Sequence, residues 1–146
     1  MGDRICITIR DGERTSPTLY CHWDGLKAVE AVYRALMDSR PDVNNILMNT
    51  AVKLSDGRST EGERYIYNNG EADGAADWDN GTWTLDLTTM TWTVTDATSE
   101  MTMNLHEAVE YVRNRDSCRF TQRLGIATNW RMAELIDAAM CREVIG

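Results

Sequence analysis

Asn104-Leu-His-Glu-Ala-Val-Glu-Tyr-Val112, then Thr121-Gln-Arg-Leu-Gly-Ile-Ala-Thr-Asn-Trp-Arg-Met-Ala-Glu-Leu-Ile136, then Val144-Ile-Gly146: on this stretch the reading of the fold turns. Leu105, Ala108, Val109 and Val112 recur at three and four residues and make one apolar stripe of a helix, and Asn104 and Glu107 have the spacing of a capping box. Asp116 or Ser117 can cap a second helix. Leu124-Gly125-Ile126 ends it, with glycine where a left-handed residue is wanted. Thr128 or Asn129 caps a third, whose Met132, Ala133, Ile136, Ala139 and Met140 face inward. Helix, helix, tight turn, helix is the layout of a helix-turn-helix unit, expected over residues 102–146.

Working outward, the pattern breaks around Thr98-Ser-Glu-Met-Thr102, and a boundary is placed there. Upstream, Ile5-Cys-Ile-Thr-Ile-Arg10 and Thr18-Leu-Tyr-Cys-His-Trp23 alternate and flank the turn-rich Asp11-Gly-Glu-Arg-Thr-Ser-Pro17, which predicts a β-hairpin with a longish loop. Leu26, Val29, Val32, Tyr33, Leu36 and Met37 then form a helical stripe that ends before Pro41. Asp42 caps a second helix with Val43, Ile46, Leu47, Ala51 and Leu54 on one face, closed by Gly57. Tyr65-Ile-Tyr67 reads as a short strand within a polar, glycine-rich stretch. Trp83, Leu85 and Leu87 share one face, as do Trp92 and Val94, so residues 82–87 and 91–95 predict a second hairpin whose opposite face is largely threonine. The fold class is therefore α+β: residues 1–98 form an acidic antiparallel sheet of four or five strands covered by two helices, and residues 102–146 a three-helix helix-turn-helix domain.

The net charge of −8 over 146 residues is unevenly placed. Residues 102–146 balance Arg113, Arg115, Arg119, Arg123, Arg131 and Arg142 against Glu107, Glu110, Asp116, Glu134, Asp137 and Glu143, so the front carries the whole excess. Such asymmetry suggests two units with different partners, the acidic one repelled by nucleic acid. No apolar run is long enough to span a membrane and the first residues lack a signal peptide's pattern, so a soluble, cytoplasmic protein is expected. Cys6, Cys21, Cys118 and Cys141 lack the paired spacing of a zinc site. Cys6 alternates with Ile5, Ile7 and Ile9 while Cys21 shares a face with Leu19 and Trp23, which places the two thiols on opposite sides of the hairpin, unable to pair.

With Glu107-Ala-Val-Glu-Tyr-Val112, Gln122-Arg-Leu-Gly-Ile126 and Asn129-Trp-Arg-Met-Ala-Glu-Leu-Ile-Asp137 before Val144-Ile-Gly146, residues 103–146 resemble the gamma domain of FtsK and SpoIIIE DNA translocases. The resemblance implies a winged helix that reads short sequences in double-stranded DNA. Three departures stand against it: Glu134 occupies a position usually basic, one residue is inserted near Trp130, and the chain stops before the wing hairpin. There is no phosphate-binding Gly-x-x-x-x-Gly-Lys-Ser/Thr loop, so the translocase motor is not part of this chain. The expected tail is thus winged-helix-like with the wing missing. Met1-Gly-Asp-Arg4, Leu19-Tyr-Cys-His-Trp-Asp-Gly25 and Leu85-Asp-Leu87 resemble an uncharacterised family of small phage, bacterial and archaeal proteins, a resemblance that implies no activity.

In a helix-turn-helix the first turn of the last helix addresses base edges, which assigns Thr128, Asn129, Trp130 and Arg131 to that role. Asn suits adenine and Arg guanine, each good bidentate pair giving about 1–3 kcal/mol of discrimination. Arg119, Gln122 and Arg123 are the expected phosphate contacts. A neutral module with so few phosphate contacts binds usefully only as a dimer. Tyr20, His22 and an acid such as Asp3 have the makings of a general acid-base set, but a strand histidine is ordinarily a satisfied polar group, and no catalytic residue is assigned. Asp73, Asp77, Asp79 and Asn80 lack the spacing of a calcium loop, and Trp78, Trp83 and Trp92 read as core rather than as a base-stacking platform. No metal or cofactor is expected. The function expected is a non-enzymatic, double-stranded-DNA-binding or regulatory protein of phage or mobile-element type. The alternative is a protein-binding inhibitor, such as an anti-CRISPR or other anti-defence factor, whose acidic surface engages a nucleic-acid-binding protein.

Overall fold

Three consecutive isoleucines on one side of a strand decide where the core lies. The computed structural model describes residues 3–38, 42–55, 64–119 and 136–137. Ile5, Ile7 and Ile9 of β1 (Ile5–Asp11) are fully buried on one side, while Cys6 and Thr8 point to the other. β2 (Arg14–Thr15) and β3 (Thr18–Cys21) return antiparallel to β1, with Arg10 opposite Thr15 and Ile5 opposite Cys21. The predicted first hairpin is therefore present, and its loop is tightened by Ser16, whose backbone and hydroxyl both bridge to Ile9 at 2.8 and 2.9 Å.

Helices α1 (Lys27–Asp38) and α2 (Val43–Leu54) follow where the three-and-four spacing put them. Asp42 caps α2, accepting from the backbone of Asn44 and Asn45 at 2.9 and 3.2 Å. β4 (Arg64–Tyr67) joins the free side of β3, and β5 (Thr82–Asp86) pairs with β6 (Thr91–Thr95) as the second predicted hairpin. β7 (Glu100–Asn104) then adds to β6, so the strand order is β4-β3-β1-β5-β6-β7, with β2 beside β1. One pairing corrects the expected antiparallel sheet: β1 and β5 run parallel, Ile7 opposite Trp83 and Ile9 opposite Leu85, which makes the seven-stranded sheet mixed. β4 runs in the direction of β1 and finishes at its far end, and residues 68–81 then return the chain to the starting end before β5 begins, so a parallel neighbour follows.

The helix-turn-helix tail is corrected as well. Asn104 and Glu107 do form the capping box, each side chain accepting from the other's backbone N–H at 2.8 and 3.1 Å. The helix they open, α3 (Leu105–Arg119), runs on for 15 residues through the predicted break at Asp116 or Ser117. Nothing between Val112 and Arg119 is a glycine or proline, and Asp and Ser in a helix interior cost only about 0.5 kcal/mol each, so a cap preference alone does not end the helix. Among the described residues the fold is three helices on a seven-stranded mixed sheet, and the predicted three-helix, winged-helix-like unit is not seen.

All three helices contribute to one core. Ala28, Val32 and Leu36 of α1, Ile46 and Leu47 of α2, and Leu105, Ala108 and Val112 of α3 bury against the Ile, Leu and Trp side of the sheet, where Ile136 also lies. Trp83 and Trp92 are fully buried there with ring centroids 5.5 Å apart, edge to face. Tyr33 is the polar pin of this core: Trp92 Nε1 donates to its hydroxyl at 3.0 Å, and the hydroxyl donates to Leu105 O at 3.0 Å. The other face of the sheet carries no helix among the described residues.

Candidate functional site

The uncovered face of the sheet is built by the alternate residues of the same strands. Thr8, Thr84, Thr93 and Thr102 stand in direct register across β1, β5, β6 and β7. Thr18 extends the row, its hydroxyl 3.1 Å from that of Thr8. At the β3–β4 end the row gives way to Tyr20, Tyr65 and Tyr67, with Tyr20 and Tyr65 stacked at 6.3 Å.

Residues 68–81 lie over part of this face as a chain of turns, with Gly70 and Gly74 at φ +88° and +77°. Ala72 and Ala76 pack on Cys6, with Tyr20 and Tyr67 against them. Burial there pushes the Cys6 thiol up to about 11. The carboxylates of the loop divide. Asp79 turns inward and accepts from Arg4 N at 3.1 Å and Arg4 Nε at 2.8 Å, which holds the guanidinium charged. Asp73 and Glu71 are exposed and Asp77 half-buried. Between Asp77 and Asp79, Trp78 is 78% exposed and holds φ +69°, a left-handed conformation costing a non-glycine residue about 1–3 kcal/mol.

Asp86 and Glu100 project from the same sheet face as the threonines, since each lies two residues from one of them along its strand. Glu71, Asp73, Asp77, Asp86 and Glu100 form no ion pair with a described Lys or Arg. The basic groups on this side are Arg4, held by Asp79, and Arg10, whose Nε donates to Gly12 O at 3.2 Å. Elsewhere Arg14 pairs with Asp42, Lys53 with Asp38, Arg64 with Asp24 and Arg113 with Glu110, while Arg115 sits 4.4 Å above the Tyr111 ring.

At the end of the sheet where β1 starts and β3 ends, four segments meet. Asp3 donates its N–H to His22 O at 2.8 Å and accepts from Gly25 N at 2.9 Å, which ties the first residues to the Cys-His-Trp-Asp-Gly turn. Gly25 has φ +56°, and a Cβ there would fall on the Asp3 carboxylate. That carboxylate accepts from Asn80 Nδ2 at 2.7 Å. Asp24 and Arg64 make a two-pronged pair, both bonds 2.7 Å, with the two side chains only 11% and 12% exposed. Cys21 lies beneath, its thiol pushed up by burial first and by Asp24 second.

The Tyr20 hydroxyl lies 2.6 Å from His22 Nδ1, and the His22 ring contacts the edge of Trp23 with centroids 4.6 Å apart. The acid of the candidate set, Asp3, is near in the chain path but bonds Asn80 and Gly25, so the structure assembles a His–Tyr pair and a separate carboxylate network. His106 is exposed in the first turn of α3. No group of three or more His, Cys, Asp or Glu placed to hold a metal occurs among the described residues.

Of the residues assigned to DNA, Gln122, Arg123, Thr128, Asn129, Trp130 and Arg131 lie outside the described residues, and Arg119 is described only as the last residue of α3. Trp83 and Trp92 are core as expected, whereas Trp78 is not. Its signal in the sequence was the flanking pair of aspartates, which place an indole in a polar turn. The grouping of Asp86 and Glu100 with the loop had no local signal, since it depends on strand order. No helix among the described residues is long and apolar enough to cross a membrane. No family model, curated protein or solved structure matches the chain.

Proposed function

We propose that this chain is a non-enzymatic binding protein whose uncovered sheet face docks a basic, nucleic-acid-binding protein and so occupies that protein's nucleic-acid surface. The observation that carries the reading is the segregation of charge: Glu71, Asp73, Asp77 and Glu100 fall on the threonine side in no ion pair with a described Lys or Arg, and Asp86 joins them opposite Arg10. Most lysines and arginines elsewhere are matched by acids or an aromatic ring. Complementary potential of this kind steers association and sets specificity more than it sets raw affinity. Trp78, exposed and in a left-handed turn between two aspartates, supplies an anchor of the type that dominates interface energies.

The test is affinity purification with covalent crosslinking from cells carrying the protein, using wild type, the triple reversal Asp73→Lys/Asp77→Lys/Glu100→Lys, and Trp78→Ser. The expected result is one basic protein crosslinked to the loop and lost in both variants, with the complex weakening as salt rises. Recovery of the same proteins by wild type and the triple reversal overturns the reading.

A second reading is duplex-DNA binding by Arg119, Gln122, Arg123, Thr128, Asn129, Trp130 and Arg131, in keeping with the resemblance of this region to the gamma domain of DNA translocases. What favours it is the run of Arg113, Arg115 and Arg119 along the end of α3, leading toward these residues on an otherwise acidic protein. Fluorescence anisotropy with mixed-sequence duplex DNA separates the two. This reading requires salt-sensitive binding that Arg131→Ala removes, and no binding at low salt sinks it.

A further inference from the structure

β4 is an outer strand, paired to β3 on one side and to no described strand on the other. Exposed apolar groups flank it on both faces: Ile66, 45% exposed, on the helix side, and Tyr65, 49% exposed, on the tyrosine side. Next to Ile66, the outer surface of α2 presents Asn44, Asn45, Met48, Val52 and Ser55, all exposed and none charged. A groove of about 340 Å³ runs between them, lined by Pro17, Asn44, Leu47, Met48, Ile66 and Asn68. The single charge of β4, Arg64, is neutralised by Asp24.

We propose that this edge is where two copies of the chain associate, β4 pairing antiparallel with β4 of a second copy about a two-fold axis normal to the sheet. Charge selects the occupant. On a protein of net charge −8, this edge carries no unpaired formal charge among the described residues, Arg64 being held by Asp24, so two identical surfaces approach there with little like-charge repulsion. The opposite edge, β7, begins with exposed Glu100, in no ion pair with a described Lys or Arg, a charge that discourages edge-to-edge pairing.

The register follows from the pleat. Opposed residues of an antiparallel pair share a face, and the two-fold axis keeps both helix layers on one side, so residues of the same parity must oppose each other. Ile66 against Ile66 of the second copy satisfies this, bringing Tyr65 opposite Tyr67 of the second copy and adding Met48 and Val52 around the isoleucine pair. The result is a self-complementary contact with aromatic pairs on one face and aliphatic ones on the other.

Sedimentation velocity of the full chain over a wide concentration range, at low and high salt, tests this. The expected species is a dimer that salt preserves or strengthens, because screening relieves the repulsion between two acidic bodies. Ile66→Lys and Met48→Glu each weaken association about tenfold or more by setting like charges face to face, with unchanged circular dichroism. Trp78→Ser leaves the dimer intact. In a background with Cys118 and Cys141 changed to Ser, Ile66→Cys crosslinks two copies on mild oxidation and Tyr65→Cys does not. A wild type that stays monomeric at the highest concentration overturns the proposal, as does a dimer indifferent to Ile66→Lys, or one lost in Trp78→Ser instead. Basic-partner binding on the acidic face weakens with salt, so the failure of one reading is distinguishable from failure of the other.

Discussion

Replacing Tyr33 by Phe removes one buried oxygen that joins three elements of the fold. The hydroxyl accepts from Trp92 Nε1 of β6 and donates to Leu105 O at the start of α3, each at 3.0 Å, and both Tyr33 and Trp92 are fully buried. The phenol cannot ionise at any ordinary pH, since burial pushes its pKa well up. In Tyr33→Phe the indole N–H is left in an apolar core without an acceptor, which costs about 1–3 kcal/mol, and the Leu105 carbonyl loses a donor. The expected loss is about 2–3 kcal/mol, or roughly 5–10 °C in melting temperature for a chain of this length. Urea unfolding followed by far-ultraviolet circular dichroism at a wavelength dominated by the backbone measures it. The midpoint falls while the slope stays constant. The sharper form is a double-mutant cycle with Trp92→Phe. Once the indole N–H is gone the hydroxyl has less to satisfy, so the two losses fall short of additivity by about 1–2 kcal/mol. A loss under about 0.5 kcal/mol for Tyr33→Phe, or strict additivity in the cycle, would refute the idea that this hydroxyl pins α1, β6 and α3 together.

Gly25→Ala should cost at least about 2 kcal/mol, since a left-handed residue there gains a Cβ against the Asp3 carboxylate, whereas Gly12→Ala, at φ +60° with open space, costs only about 1 kcal/mol; thermal melts compare the two. The Cys6 thiol, at about 11 in the fold against 9.0 unperturbed, contributes stability that is whole below pH 9 and is lost as pH climbs toward 11. Urea midpoints at mildly and strongly alkaline pH show the fall, which Cys6→Ala reduces, and a midpoint loss identical in the two proteins counts against the burial of this thiol. Trp78→Gly should raise stability by up to about 1 kcal/mol by relieving the left-handed strain, while weakening the complex with a basic partner; a destabilised protein in the same denaturation assay would contradict the exposed placement of the indole.

Most local elements could be read from the chain. The alternation of Ile5, Ile7 and Ile9, the helical stripes of α1 and α2, the Asp42 cap and the Asn104–Glu107 box depend on neighbours two to four residues away, and the structure has each of them. The same locality explains the failure at α3. Asp116 and Ser117 do favour caps, but a cap preference is worth little against an uninterrupted helical backbone, and the helix runs through them to Arg119. The candidate site divides in the same way. An acidic front was visible by counting, and Asp73 and Asp77 were visible as a cluster, but their union with Asp86 and Glu100 required knowing that β5, β6 and β7 lie side by side.

Left to itself, the sequence determined the period of most segments, the starts of the three helices, the opposite placement of Cys6 and Cys21, and the −8 charge concentrated ahead of residue 102. The tertiary structure decided the parallel pairing of β1 with β5, the addition of β4 and β7 at the two edges, the exposure of Trp78, and which carboxylates share a face. The division has one cause. Helix periods, caps and hairpins are set by contacts close along the chain, whereas the β1–β5 and β3–β4 pairings join segments many tens of residues apart, and those are settled only when the whole core closes.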